Sequence, residues 1–546
     1  MEEQFSPGQQ PVPGGQPPAG VPAPGYGFQA PGGGTSFTPA SESIAAGPGA
    51  GPVPPVEPTP ARRGRGLVVG AVAVVVAGLV GGGAYAVTAL SGGGGDQPEQ
   101  HMPGTVFAFA KADLEPSATQ QVDAIQFMLR FPHSDKQAEA LQNKSLREYV
   151  YRSLTANESD APAWEDVKGW AGKRIAVGVM PGASSDQDPS AVIVLQVSDP
   201  DKARTALKKI AKDDQTGVAI KDGWALIAKT QAAADAAEAT AESSPLSKVQ
   251  RFHDDLSQLG ESGFAAGWVD SAGAKTLMEK ALSSQGSSLG SASMIGGMAA
   301  ESLNQHGAFA LRFADGHLEL VSRISGGRAV AGTKQGTGIE KLPADTVAGM
   351  GIAGLGEALR SQWATMLPLL SMAGGSGGGD PVATIEQQTG LKLPDDLVTL
   401  LGDTTDVALA ASGGTTPAMG LKVTSKDTQS AQVLEKVLAL FGDKAAIVQH
   451  KATSDGFVLS TGVDQMNALE NPSSTLGSTD QFKALVPDAS SASMAVYLDL
   501  TKMSSEESLS SSMSDKDKKT LEALKGVGIT ASTDGKGTAQ IRVRIG

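Results

Sequence analysis

Gly374-Gly375-Ser376-Gly377-Gly378 satisfies G-x-S-x-G, the pattern of a serine nucleophile. That chemistry needs a strained turn between a strand and a helix, which exposes the serine Oγ to a substrate carbonyl. Here the pattern sits in a run of glycines after a helical stretch, so no nucleophile is expected. Asp395, Asp396, Asp403 and Asp406 cluster across LPDDLVTLLGDTTD. Paired carboxylates can perform acid–base work or hold a hard cation such as calcium. More simply, Asp395 and Asp396 fall in the first turn of a helix, where negative charge complements the dipole, and Asp403 follows the helix-ending Gly402. The corresponding earlier segment carries Glu165 and Asp166 near its helix start, but Lys173 and Arg174 after Gly172. His253 beside Asp254 and Asp255 joins a base to two acids, yet all three can lie on the wet side of one helix. Asp186 and Asp188 belong to a Ser/Pro-rich turn, where aspartates are ordinary. Lys275-Thr276 lacks the glycine spacing of a P-loop, and no HExxH or dinucleotide fingerprint occurs. Trp164, Trp170, Trp224, Trp268 and Trp363 fall in expected helices or strands and read as packing. No catalytic, cofactor-binding or metal-ligating residue is assigned, no cofactor is expected, and the balance leans away from an enzyme.

Composition narrows the classes further. The chain has 546 residues, a net charge of −14, no cysteine and six histidines. Thiol chemistry, disulfides, Cys-ligated metals and an acylated cysteine anchor are therefore excluded. The first 66 residues hold four acids (Glu2, Glu3, Glu42, Glu57) against three arginines, so −13 falls on what lies beyond the apolar stretch described next. Charge of that sign repels phosphate backbones and argues against a nucleic-acid partner.

The elements that must position any site begin at LVVGAVAVVVAGLVGGGAYAVTAL, residues 67–90, which is 24 residues long and uncharged. At about 1.5 Å per residue such a helix spans a bilayer core of about 30 Å. Before it, residues 1–66 hold 15 of the 31 prolines among glycine, glutamine and alanine, a composition expected to stay disordered. Arg62, Arg63 and Arg65 precede the apolar run, and the first basic residue beyond it is Lys111. The positive-inside rule places the tail in the cytoplasm and the larger part outside the plasma membrane. Ala84-Tyr85-Ala86 has the form of a signal-peptidase site, but 61 residues before the first arginine are too many for an ordinary n-region. An uncleaved single-pass anchor is expected. Gly66, Gly70, Gly78 and Gly82 form an i, i+4 ladder on it, a possible face for a homodimer.

After a linker at 91–101, the chain is written twice. TVFAFAKADL corresponds to DTVAGMGIAGL, and APAWEDVKGWAGKRIAVGVM to KLPDDLVTLLGDTTDVALAA. Hairpins VAIKDGWALIAKT and VQHKATSDGFVLSTG share an Asp-Gly turn at Gly223 and Gly456. SSPLSKVQRFHDDL matches SSTLGSTDQFKAL, with Leu246 against Leu476 and Phe252 against Phe482. FAAGWVD matches MAVYLDL, and HGAFALRFADGHLELVSRI matches LKGVGITASTDGKGTAQIRVRI. Offsets of 240, 230, 233, 230 and 219 keep the same order of elements. Two tandem homologous halves are expected, 102–335 and 336–546, with GGRAVAGTKQGTG near their junction. Tight turns make neighbouring strands antiparallel, so each half is an α+β unit, a mostly antiparallel sheet with helices on one face. SSQGSSLGSASMIGGMAA, SSEESLSSSMSDKDKK and AGGSGGGD read as loops or loosely held helices.

The anchor, the opening MPGTVFAFAKADLEPSATQQVDAIQFMLRFP and the later L-x5-F…strand-Asp pattern resemble a family of actinobacterial membrane-anchored envelope proteins catalogued only as a domain of unknown function. The resemblance implies an architecture and a location and carries over no site residues. The expected role is a non-enzymatic binding or scaffold module of the cell envelope, with an unknown envelope ligand meeting a cleft between the halves. The alternatives are an envelope hydrolase or transferase using scattered Asp, Ser or His residues, a carrier of lipid or hydrophobic chains, and a sensor.

Overall fold

The computed structural model describes residues 95–546 except 116–117, 132–146, 149–150, 152–161, 183–188, 212–215, 262, 273–303, 328–335, 374–379 and 411–416. The tail, the apolar stretch 67–90 with its glycine ladder, Ser376, Asp186, Asp188, Lys275 and most of the Gly/Ser-rich inserts lie outside the described residues. Among the described residues, no helix is long and apolar enough to cross a membrane.

Among the described residues, sixteen strands form one antiparallel sheet. The first eight are β1 (Ala108–Asp113), β2 (Ala171–Met180), β3 (Ser190–Val197), β4 (Gly217–Lys221), β5 (Trp224–Ala228), β6 (Ala265–Asp270), β7 (His306–Ala314) and β8 (His317–Ser325). The rest are β9 (Thr346–Ala353), β10 (Thr404–Ala410), β11 (Ala418–Thr424), β12 (Gln449–Thr453), β13 (Gly456–Ser460), β14 (Met494–Asp499), β15 (Gly526–Thr533) and β16 (Ala539–Ile545). Their order across the sheet is 4-5-3-2-1-6-7-8 and then 16-15-14-9-10-11-13-12. The last eight strands thus repeat the order of the first eight, and β8 and β16 join edge to edge. The α+β class stands.

The hairpins β4–β5 and β7–β8 turn on Asp222-Gly223 (φ 48° and 80°) and Asp315-Gly316 (φ 54° and 75°). Positive φ at both central residues matches the right-handed twist of paired strands, which is why Asp-Gly announces the turn in the sequence. Short backbone links recur as well. Leu246 N donates to Met102 O at 2.8 Å, and Leu476 N donates to Leu342 O at 2.8 Å. Residues 95–101, read from sequence as linker, contain a 3-10 turn at Pro98–Gln100 and lead into the fully buried Met102.

Helices cover both faces, which corrects the expectation of one covered face. Alternate residues of a strand point to opposite sides. Trp224, Leu226 and Ala228 of β5 enter a core with the helices Gln231–Ser243 and Gln250–Ser257. Ala225 and Ile227 of the same strand pack instead with Ala203 and Leu207 of the helix Pro200–Ala211. In the last eight strands, Val458 of β13 joins the core of Leu469 and Phe482, while Phe457 joins Leu434 on the other side. Strands such as β3, β5 and β13 are apolar on both sides, and an uncovered second face would expose that surface to water. The insert SSEESLSSSMSDKDKK lies on the helices Leu500–Ser505, Glu507–Ser510 and Asp515–Leu524.

Edge-on aromatic contacts anchor the matching cores of the two sets. Phe252 meets Trp268 edge-on at 5.5 Å, and Phe482 meets Tyr497 edge-on at 5.3 Å. Both phenylalanines are buried. Phe252→Ala and Phe482→Ala are each expected to cost about 3–5 kcal/mol. Urea unfolding measures this, and a loss under about 1 kcal/mol at either site would show that the core closes without the pair.

Candidate functional site

The polar centre of the sheet lies where β8 meets β16. Glu319 on β8 is fully buried. Its cross-strand neighbours are Arg312 on β7 and Arg544 on β16. Arg312 Nε donates to Glu319 Oε1 at 2.7 Å, and Arg544 Nε donates to Oε2 at 2.6 Å. Arg542 Nε lies 3.4 Å from Oε2. The guanidinia reach onward to backbone: Arg312 Nη1 donates to the carbonyls of Leu259 (3.1 Å) and Glu261 (2.8 Å), and Arg544 Nη1 to that of Ala484 (2.9 Å). Burial pushes the Glu319 carboxyl up, but the Arg544 and Arg312 guanidinia outweigh it and hold the group below its ordinary value. A carboxylate with its lone pairs so engaged, and no exposed atom, cannot serve as a base. It is a structural ion.

Beside this cluster the same face opens into a polar depression of about 250 Å³. It is lined by Asp488, Ser491 and Ala492 from the loop before β14, Thr530 and Ser532 of β15, and Gln540 and Arg542 of β16. Arg542 is ion-paired to Asp488. The expected cleft between two halves is therefore replaced by a continuous sheet with a shallow seat at its centre, because β8 and β16 pair over seven rungs.

The aspartates singled out by sequence do not converge. Asp395 is 3.1 Å from Arg360, Asp396 accepts from Lys392 N at 2.9 Å and Asp403 from Lys426 N at 2.9 Å. Asp406 is separately buried on β10, 1% exposed, with Thr404 Oγ1 donating to its Oδ2 at 3.0 Å and no partner on Oδ1. Burial pushes its carboxyl up to about 7. Among the described residues, no group of three or more His, Asp or Glu side chains is placed to hold a metal ion.

His253 is exposed, as the wet-face reading expects, and Asp254 lies beside it. Asp255 departs from that reading. It is 2% exposed because it follows Phe252 by three residues, on the face of the helix turned to the core. Its Oδ2 accepts from Trp268 Nε1 at 2.8 Å and lies 2.7 Å from His306 Nδ1. The geometry is a carboxylate–imidazole pair, but no hydroxyl among the described residues bonds to His306. The nearby Ser271 hydroxyl donates to the Gln305 carbonyl instead. Trp164, Trp170, Trp224 and Trp268 are all buried, in keeping with packing. Trp224 also stacks on His101 at 4.7 Å and donates to Asp96 at 2.7 Å. Glu319, Arg542 and Arg544 escaped the sequence reading, since alternating charged residues in HLELVSRI and QIRVRI look like a solvated face.

Two stability tests follow with opposite signs. Glu319→Gln leaves buried guanidinia without their counter-ion and is expected to cost about 3–5 kcal/mol at pH 7. Because the folded carboxyl sits below 4.5, its contribution is present above that pH and fades as pH falls through the folded value, so the variant should lose this acid limb of the urea-midpoint profile. Asp406 runs the other way. Raising a carboxyl from 3.8 to about 7 corresponds to roughly 4 kcal/mol, a cost that grows as pH rises from about 4 to about 7. Asp406→Asn should remove that slope and leave a protein more stable than the parent at pH 8; an unchanged profile would refute the assignment.

Among curated proteins and solved structures, none matches the chain at a significant level. A family match does exist, beginning within the apolar stretch and ending at the last residue of the helix Gln231–Ser243. Over residues 69–243 the chain matches the family described as "Protein of unknown function (DUF3352)", so the resemblance to a family without assigned chemistry holds for that stretch.

Proposed function

We propose that this chain is a single-pass, membrane-anchored protein of the cell envelope whose outer part is a binding or scaffold module rather than an enzyme. The depression beside Glu319 carries the reading. It collects hydroxyl, amide, carboxylate and guanidinium groups on a rigid sheet without a nucleophile or a metal-ligand set among them. The uncharged stretch 67–90 and its flanking arginines support the anchor and its orientation. Duplication of one eight-stranded unit accounts for the repeated strand order, the matching links at Leu246 and Leu476, and the matching aromatic pairs.

A second reading rests on Asp255 and His306. A hydrolase could use their pair as its base if a substrate brought its own hydroxyl or water to the ring.

The full-length chain, tagged and captured from detergent-solubilised envelopes, is expected to retain one envelope component reproducibly. Protease added outside intact spheroplasts should digest the part beyond residue 90 and spare the tail. A tail cleaved from outside refutes the orientation, and capture of nothing above a control membrane protein refutes the binding role. His306→Ala should leave retention unchanged; loss of a hydrolytic activity in that variant would favour the second reading.

A further inference from the structure

We infer that the depression at β15–β16 is a seat for a neutral, hydroxyl-rich group, a single sugar or polyol unit; this rests on the binding role above and names its ligand class.

The first eight strands show what this place in the fold holds when it is filled. Phe264 N donates to Leu311 O and Ser493 N to Ala531 O, each at 2.8 Å, which marks Leu311 and Ala531 as equivalent rungs. Counting along the ladders then sets Ala310 against Thr530, Arg312 against Ser532, Glu319 against Gln540 and Val321 against Arg542. In the first set the Arg312 side chain occupies the space, bound to Glu319 and to the carbonyls of Leu259 and Glu261. In the second set the long cation is cut back to a serine and its carboxylate is replaced by a neutral amide. Among the described residues, the space that an arginine would fill stands open.

Three of the side chains that line it are unused. Thr530 is 6% exposed, and its equivalent Ala310 is a fully buried core methyl. The side chains of Thr530, Ser532 and Gln540 make no hydrogen bond to the protein among the described residues. A hydroxyl placed where a methyl suffices, and left without a protein partner, is available to water or to a ligand group that enters the depression. Together these three residues offer donors and acceptors in both senses, which suits hydroxyl groups that do the same. The charges present are already matched, since Asp488 pairs with Arg542. An anion would meet Asp488 and a cation would meet Arg542, whereas a neutral ring meets neither penalty. A volume of about 250 Å³ lies just below the range of drug-sized sites, so one ring fits and an oligosaccharide would extend into solvent.

The test uses the full-length chain in nanodiscs, titrated with glucose, galactose, mannose and N-acetylglucosamine, with inorganic phosphate and arginine as charged comparators. Ligand-observed saturation-transfer NMR reads the binding of the sugars and arginine, and phosphorus-31 line broadening reads that of phosphate. One neutral sugar is expected to saturate, and Ser532→Arg, which refills the space as Arg312 does, should weaken it at least tenfold. Gln540→Ala removes the amide without adding bulk and should weaken binding severalfold, which keeps the test open where Ser532→Arg perturbs the strand. The assignment is overturned if no neutral sugar saturates, if only phosphate or arginine does, or if both variants bind as the parent does. Retention of the envelope component by Ser532→Arg at parental level would overturn this seat while leaving the binding role intact; a parent that retains nothing overturns the role itself.

Discussion

The β8–β16 pairing holds the sixteen strands in one sheet, and Glu319 sets its register. A one-residue slip would turn Glu319 to the opposite face, among Leu318, Phe313 and Phe127, where no guanidinium waits. The carboxylate has lost its water entirely, so its three arginines are obligatory rather than decorative. Desolvating four ions costs about as much as their attraction returns, so the cluster adds little net stability over an apolar seam. What it adds is uniqueness. Through Arg312 and Arg544 the same carboxylate also ties down backbone beside the helices that cover this one face in both sets of strands, at Leu259, Glu261 and Ala484.

Equivalent positions have been spent differently across the two sets of strands. Asp255 and His306 bond to each other where Leu485 and Gly526 stand in the second set, and a Cβ on Gly526 would come within 2.5 Å of Leu485. The polar pair and the apolar pair fill the same space by different chemistry. Likewise Asp406 projects into space left by Gly338 and Gly351, whose added Cβ atoms would each fall within 2.5 Å of its carboxylate. Such compensated exchanges preserve volume, the condition under which a close-packed interior tolerates change. They also mean that the two sets need not share a ligand.

Much of the strand plan was legible because it is local. Asp-Gly turns, alternating strands and the recurring Leu and Phe positions announce hairpins and their repetition within a few residues of chain. The seam was not legible, because Glu319 and Arg544 are 225 residues apart and nothing local says which two edges meet. Coverage of both faces had a signal that the turn-based argument passed over: AVIVLQV and WALIA are apolar at consecutive positions, as strands buried on two sides are. The helix Gln231–Ser243 also went unread, since QAAADAAEATAES buries alanines and offers little apolar contrast. Asp255 was misplaced for a related reason. A run of His-Asp-Asp looks uniformly wet until the phase set by Phe252 is followed round the helix.

The family match stops at residue 243, within the first eight strands, whereas several of the least comfortable buried polar groups lie beyond it. Thr346 and Asp406 are fully or almost fully buried, and each keeps a side-chain oxygen without a partner among the described residues. Each costs stability that an apolar residue of the same size would recover. In the first set the same place is charged as well: Ala176 lies opposite Lys111 as Asp406 lies opposite Gly351, Lys111 pairs with Glu99 at 2.7 Å and Glu99 Oε2 has no partner among the described residues, while Ala310 stands where Thr530 does. Both sets of strands therefore bury charge at this level of the sheet, and what differs is the strand that supplies it, β1 through Lys111 in one and β10 through Asp406 in the other.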